Sequence, residues 1–428
     1  MPKSSRMRPR LLLAVLSTVA LALAGLGVPG SAGASAPAPS ESSRQYTVTG
    51  PKNAQQRTEV ARTGAAIDAV LPGELTISAI PSEVAAIKKL GFTVSRPLPA
   101  PKPTPGASAT SYHTYAEMRQ EVDSVVAANP QITQKFVAGK SYEGRDIIGI
   151  KISDNVATDE NEPELLVIAN IHARERLTAE QALDYLGQLT KGYATDTRVK
   201  NLVDNREIWL MPMVNPDGQV YDMTSDTQAG RMWRKNRQPN PTSTGTDLNR
   251  NFNFKWGCCG GSSTNGASET YRGTGPESGT ETKVIANFVR SRNVGGKQQL
   301  KMFLDIHSYS QLVLWPFGYT TNNTVPGSMS ADDEAAHRAI GTEMARSQGF
   351  TPEQSSDLYI TDGSTNDWTW GEQRIFSYTF ELGTNTFYPP PSQIDQQVQR
   401  SREALLKLTD YADCPYRATG KQDQYCKA

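Results

Sequence analysis

The chain reads as an α/β protein: a largely buried sheet covered by helices, preceded by a small α+β module. Three observations predict this. Apolar strand-like runs alternate with helix-periodic segments over about 300 residues, the pattern of a sheet buried on both faces. Two proline-rich segments, Pro29–Ser40 and Arg96–Ser111 ("RPLPAPKPTPGASATS"), mark off a short stretch near the start. The total of 428 residues suits one large domain with additions.

In chain order, Lys3, Arg6, Arg8 and Arg10 precede an apolar run from Leu11 to Val28. Pro29 and small residues follow, and Ala32-Gly33-Ala34 fits a small-x-small cleavage site. This pattern predicts an export signal over 1–34. The rival is a membrane anchor, for which about 18 apolar residues would just suffice. The breaker and small-residue tail favour cleavage, and the protein is read as secreted.

From Gln45 to Ser95 the pieces are "YTVTG", a helical-looking "AAIDAV", the strand "GELTISAI", the helix "SEVAAIKKL" and a short "FTVS". Between a signal and a linker, this small module suggests a propeptide, with an accessory binding domain as the alternative. Strands are then predicted at Glu164–Ile171, Arg206–Val214, Leu300–Ile306, Gln311–Phe317 and Phe376–Leu382, and helices at Thr178–Tyr193, Gly279–Arg292, Ser330–Gly349 and Asp395–Ala412. No internal repeat is present.

Lys plus Arg equals Asp plus Glu at 44 each, so net charge gives no reason to expect nucleic acid or an anionic membrane as partner. Export would place the four cysteines in an oxidising compartment. An even count favours disulfides, although sequence alone does not fix the pairing. A Cys414–Cys426 bridge would close a short tail loop and leave Cys258–Cys259 as a vicinal bridge. A metal site is the rival for the adjacent pair.

The chemistry gathers at strand ends. Only four histidines occur, and His172 stands three residues before Glu175 in "IHARERLT", between a strand and a helix. Both side chains are good zinc ligands, and residues three apart on a helical turn can point the same way. Alone this is a weak signal that equally fits a solvated helix-start pair. His307 also stands at the end of a buried run, "LKMFLDIHSYS", where a packed core histidine is the alternative. In open α/β sheets the crevice lies at the carboxyl ends of the strands, so parallel strands would bring these three residues together. Two histidines and a glutamate leave one zinc position open, as catalysis needs. Glu381 ends a third strand in "SYTFELG". A carboxylate there is costly without a partner or a task, and beside a zinc it can serve as a general base. "RMWRKNRQPN" and "GTDLNRNFNF" supply Arg234, Asn249 and Arg250, and an arginine fork suits a free carboxylate.

These residues carry a resemblance. "IHARERLTAE", "NPDG", "WRKNRQPN", "GTDLNRN", "KWGCCGG", "ETYRG", "IHSYSQ", "SDLYITDGSTNDW" and "TFELG" resemble, in order, the motifs of the zinc metallocarboxypeptidases of the funnelin type, most closely bacterial carboxypeptidase T. The likeness runs from about Ser111 to Cys426.

It implies a twisted, mixed eight-stranded sheet with helices on both faces (the carboxypeptidase fold), an inhibitory propeptide within 35–110, and a catalytic domain over 111–428. It implies one zinc per chain held by His172, Glu175 and His307. Glu381 would be the general base on the zinc-bound water, and Arg234 would hold the developing oxyanion. Asn249 and Arg250 would bind the terminal carboxylate. Tyr359 would close over the substrate, and Arg174 and Tyr309 would line subsites. A specificity pocket would draw on Gln354, Thr361, Asp362, Ser364, Asn366 and Thr379.

By the same resemblance, the position nearest the family's selector is Asn366, neither the aspartate that selects basic residues nor the aliphatic residue that selects apolar ones. Ser364 replaces an acidic residue of carboxypeptidase T, and Asp362 remains to compensate in part. The expected enzyme is a broad, monomeric exopeptidase that favours apolar and aromatic C-terminal residues of peptides and proteins. The acidic loop Asp159, Glu160, Glu162 and Glu164 suggests a structural calcium site, with a solvated loop as the alternative. Arg176 departs from the aromatic or histidine common in relatives, and tuning is expected from it. The competing readings are a cell-wall hydrolase of γ-linked peptides and a non-catalytic peptide-binding relative.

Overall fold

The computed structural model describes residues 42–96, 112–224, 231–383 and 385–426. The expected export signal, and the proline-rich linker from residue 97 on, lie outside the described residues.

The N-terminal module is an antiparallel sheet of β1 (Arg44–Thr49), β2 (Ala66–Leu71), β3 (Glu74–Ala79) and β4 (Thr93–Val94), in the order β2-β3-β1-β4. Helices Ala54–Ala61 and Pro81–Lys89 pack with it. The helical reading of "AAIDAV" is corrected here. Pro72-Gly73 forms a two-residue turn, with Gly73 at φ 74°, which lays β2 back along β3 as a hairpin. The register slips between Ile67 and Ala69, so Asp68 sits in a bulge, a device that re-aims a side chain.

The main sheet has eight strands: β5 (Thr133–Lys140), β6 (Asp146–Ile152), β7 (Glu164–Ala169), β8 (Glu207–Met211), β11 (Leu300–Ser308), β12 (Leu312–Trp315), β13 (Thr351–Gln354) and β14 (Phe376–Leu382). A small ribbon, β9 (Asn293–Val294) and β10 (Lys297–Gln298), lies outside it. The order is β13-β12-β14-β11-β7-β8-β6-β5. The four central strands β14, β11, β7 and β8 run parallel, and the flanks bring in antiparallel pairs, which makes the sheet mixed as expected. β5, β6 and β13 escape the sequence reading. β5 is an edge strand, mostly exposed or half-buried and rich in polar residues, and β13 is only four residues long.

The central strands are apolar on both faces because helices cover both. Leu165, Val167, Leu304, Tyr378 and Phe380 belong to one buried cluster, and Leu166, Ile168, Phe303 and Trp368 to another. Each fully buried side chain of this size contributes about 1.5–3 kcal/mol of transfer free energy. Helix Ala331–Gln348 follows its sequence signals: Ser330 and Asp333 form a capping box, and Gly349 stops it in the left-handed region at φ 69°. The helix predicted over 395–412 is two, Ile394–Arg400 and Arg402–Tyr411. At the join, buried Ser401 donates through Oγ to Gln348 Oε1 at 2.7 Å, and its amide bonds back only three residues, to Val398. The cysteines pair as Cys258–Cys259 and Cys414–Cys426.

Candidate active site

The parallel strands deliver their ends to one edge. β7 leads into the loop carrying His172 and Glu175, while His307 and Glu381 are register partners on β11 and β14. Asn170 bends the chain out of β7 in the left-handed region, at φ 57°, which asparagine tolerates better than most residues. Its Nδ2 donates to the His172 carbonyl at 3.2 Å, and Thr178 Oγ1 donates to the Glu175 carbonyl at 2.7 Å. Asn215, from the "NPDG" stretch, donates to the carbonyls of Ile171 and Lys235 and so ties the loop to the segment bearing Arg234.

His172, Glu175 and His307 are buried, and one ligand atom from each lies within 4.8 Å of the others. His172 Nδ1 is 2.8 Å from Glu175 Oε1, and His307 Nδ1 is 3.0 Å from Glu175 Oε2. The opposite ring nitrogens face carboxylates: Asp247 at 3.0 Å for His172 and Asp305 at 2.9 Å for His307. An Nε2–H held in this way leaves Nδ1 free to ligate, which is how metal-binding histidines are oriented. Burial acts to raise the Glu175 carboxyl, but His172 and His307 overcome it and hold it well below its ordinary range. Two imidazoles and a carboxylate, pre-oriented and short of one position, fit a catalytic zinc. Asp247 and Asp305 had no role in the sequence reading. The available signal was the aspartate two residues before His307 on its own strand, and the one opening "DLNRN".

Arg234 is buried, donates twice to Asp247 Oδ2 (3.1 and 2.9 Å), and brings Nη1 to 4.0 Å from Glu175 Oε1. Glu381 is pushed up to about 8, mainly by burial and against the lowering pull of His307 and Arg234. A divalent cation at the adjacent ligands would pull it down further. Arg250 donates Nε to the Gly261 carbonyl and Nη1 to the Asn249 carbonyl. Asn249 accepts from the Thr365 amide at 2.8 Å, and its Nδ2 is 3.3 Å from His307 Nε2. Arg234, Asn249, Arg250, Tyr309, Tyr359 and Glu381 line one cavity of about 90 Å³ together with the candidate metal ligands.

The same cavity is also lined by Leu314, Leu358, Thr361, Ser364, Asn366 and Thr379. Asn366 Oδ1 accepts from Ser377 Oγ at 2.9 Å. Two expected pocket residues are corrected. Asp362 does not line the cavity: its carboxylate accepts from the amides of Cys259 and Gly261 and from Ser262 Oγ, fastening the vicinal-disulfide loop. Gln354 turns away as well, donating to the carbonyls of Phe317 and Thr320. The acidic loop is divided. Asp159 and Glu164 pair with Arg292, while Glu160 and Glu162 cluster with Asp154.

The N-terminal module reaches into this site. Ile67, Asp68, Ala69 and Val70 line the cavity. Asp68 Oδ1 accepts from Arg174 Nη2 at 2.7 Å, and Ser78 Oγ meets Arg174 Nη1 at 2.9 Å. The Arg174 guanidinium also lies 4.2 Å from the centroid of the Phe387 ring; Phe387 lines the cavity, while Arg174, expected at a subsite, does not and is engaged by the module. Arg57 donates to the carbonyls of Asp357 and Leu358, Thr58 Oγ1 accepts from the Ile360 amide, and Tyr359 packs on the module's core.

Residues 118–404 match the peptidase M14 zinc carboxypeptidase family. A zinc carboxypeptidase of Saccharothrix mutabilis subsp. capreolus is 41% identical over 389 residues, covering 86% of this chain and 88% of that protein. Carboxypeptidase A1 of Rattus norvegicus is 35% identical over 309 residues, 70% of each chain. In fold, carboxypeptidase A of Helicoverpa armigera superposes with a TM-score of 0.70 at 23% identity, covering 89% of this chain and 99% of that one. The zinc-fitting donor set at the edge of a mixed eight-stranded sheet, the match along two thirds of the sequence and these relatives together make the chain a member of the zinc carboxypeptidase family, and a metallocarboxypeptidase.

Proposed function

We propose that the chain is exported with a signal over 1–34, held inactive by a module within 35–110, and active through 111–428 as a broad exopeptidase that favours apolar and aromatic C-terminal residues. One observation carries the reading. The candidate metal ligands, the register-paired Glu381, and Arg234, Asn249, Arg250 and Tyr359 all face a single cavity.

His172, Glu175 and His307 would hold zinc, which supplies Lewis acidity toward the attacking water and the scissile carbonyl. Arg250 and Asn249 bind the substrate's free carboxylate and fix which bond is cut. Glu381 takes a proton from the attacking water as its oxygen bonds to the carbonyl carbon. Arg234 Nη1 donates to the oxygen on which negative charge develops. The C–N bond breaks as Glu381 returns the proton to the leaving amine. Leu314 and Leu358 in the cavity lining, and the withdrawal of Asp362 into a loop, support a preference for uncharged side chains over Lys or Arg. The grip of the module on Arg174 and on the segment around Tyr359 supports its role as an inhibitor.

The test is hydrolysis by the processed enzyme of a blocked dipeptide ending in Phe, as free acid and as amide, with and without chelator. Cleavage of the free acid alone, abolished by chelator and restored by zinc, is expected. Equal cleavage of the amide, or faster cleavage of an Arg-ending substrate, would overturn the reading in part.

A further inference from the structure

Asp222 lies on the last turn of helix Pro216–Met223, is fully buried, and has no place in the chemistry described so far. Its contacts converge on the approach to Arg234. Oδ1 accepts from the Trp233 amide at 2.9 Å and from the Arg231 amide at 3.2 Å. Tyr388 OH donates to the same carboxylate, 2.9 Å from Oδ1 and 3.0 Å from Oδ2, while its oxygen accepts from the Met232 amide at 3.1 Å. Three successive N–H groups, at 231, 232 and 233, are therefore captured by one carboxylate–phenol pair. Runs of amides of this kind form concavities that bind an anion, and here the anion is built in.

The middle residue, Met232, sits in the left-handed region at φ 56°. A side chain as large as methionine stays there only when its surroundings over-determine it. The carboxylate is itself held in position. Arg176, the residue after Glu175, donates Nε to Asp222 Oδ2 at 2.8 Å and Nη2 to the Asp222 carbonyl at 3.0 Å, and lies 4.4 Å from the Tyr388 ring centroid. Downstream, the Arg234 carbonyl accepts from the Ala173 amide at 3.0 Å, next to His172. Asp222 thus joins three segments: the turn entering Arg234, the residue beside Glu175, and the loop beyond Glu381.

We propose that Asp222, with Tyr388, is a second positioning residue for Arg234: Asp247 holds the guanidinium itself, and Asp222 sets the backbone turn that aims it at the oxygen where charge develops. The inference rests on the role given to Arg234 under Proposed function. Because that contact strengthens in the transition state, misaiming it should lower kcat and leave ground-state binding of the terminal carboxylate alone.

The experiment uses the processed, zinc-loaded enzyme and the Phe-ending free-acid dipeptide. Asp222→Asn should lower kcat by roughly tenfold to a hundredfold, with KM and the inhibition constant of free phenylalanine within about threefold. Tyr388→Phe, which removes one hydroxyl, should act in the same direction and more weakly. It carries the test alone if Asp222→Asn does not fold. In an Arg234→Ala background, neither substitution should lower kcat further, because the group they aim is gone. Unchanged kcat in both variants, a rise in KM alone, or full additivity with Arg234→Ala would overturn the proposal. An inactive wild-type enzyme would instead overturn the functional reading on which it stands.

Discussion

The most direct perturbation of the docked module is Asp68→Asn in the uncut chain. Asp68 Oδ1 accepts from Arg174 at 2.7 Å, and Oδ2 accepts from Ser78 Oγ at 2.7 Å and Gln45 Nε2 at 3.0 Å. Arg174 is fully buried under it. The amide keeps one acceptor and the side-chain volume but loses the charge facing the guanidinium, and it turns an NH2 toward groups that are themselves donors. Removing one partner of a buried charge pair at an interface costs about 2–5 kcal/mol. The lower half of that range applies, because Arg174 keeps its place on the Phe387 ring and its contact with Ser78. About 2–3 kcal/mol raises the fraction of chains with the module undocked by roughly 30- to 150-fold. The tether is the same in both proteins, so its effective concentration cancels. The assay is residual turnover of the Phe-ending substrate by chain shown by mass to be uncut, divided by turnover after processing. The processed Asp68→Asn enzyme should match wild type, since the module is then gone. Residual turnover within twofold of wild type, with unchanged melting, would refute the reasoning that this pair holds the cleft shut.

Two further outcomes are expected. Glu381→Gln keeps the side chain's shape and removes the proton acceptor, so kcat should fall by about 10²–10⁴ while KM stays within a few-fold; a fall confined to KM would move the base elsewhere. His113 Nδ1 lies 2.7 Å from Glu180, and that hydrogen bond, outweighing burial, raises the imidazole above its ordinary range. Its stabilisation is complete below the unfolded-state pKa and lost as pH climbs through the raised value. His113→Gln should therefore lower Tm more at pH 6 than at pH 9, and equal losses at both would contradict it.

Sequence alone determined the α/β class, the order of the central strands along the chain and the residue types at their ends. Apolar runs long enough to be buried on both faces, and histidines and a glutamate placed where those runs stop, are local facts that survive translation into three dimensions. The motifs around them are specific enough to resemble a family without any geometry. Sequence could not decide which polar residues face the cavity and which are spent holding it. Asp362 and Gln354 lie in the pocket stretch by position, yet their side chains are taken up by loop amides and carbonyls. Asp68 lies in a segment whose periodicity suggested a helix, and a two-residue turn made it a bulged strand reaching Arg174, 106 residues away. Asp247 orients both His172 and Arg234, and Asp222 braces the turn before Arg234, through contacts that no spacing rule reports. The physical reason is common to these cases. Burial and periodicity are properties of neighbouring residues, whereas the partner that satisfies a buried charge is chosen by the packing of distant segments, and only the tertiary structure brings those segments together.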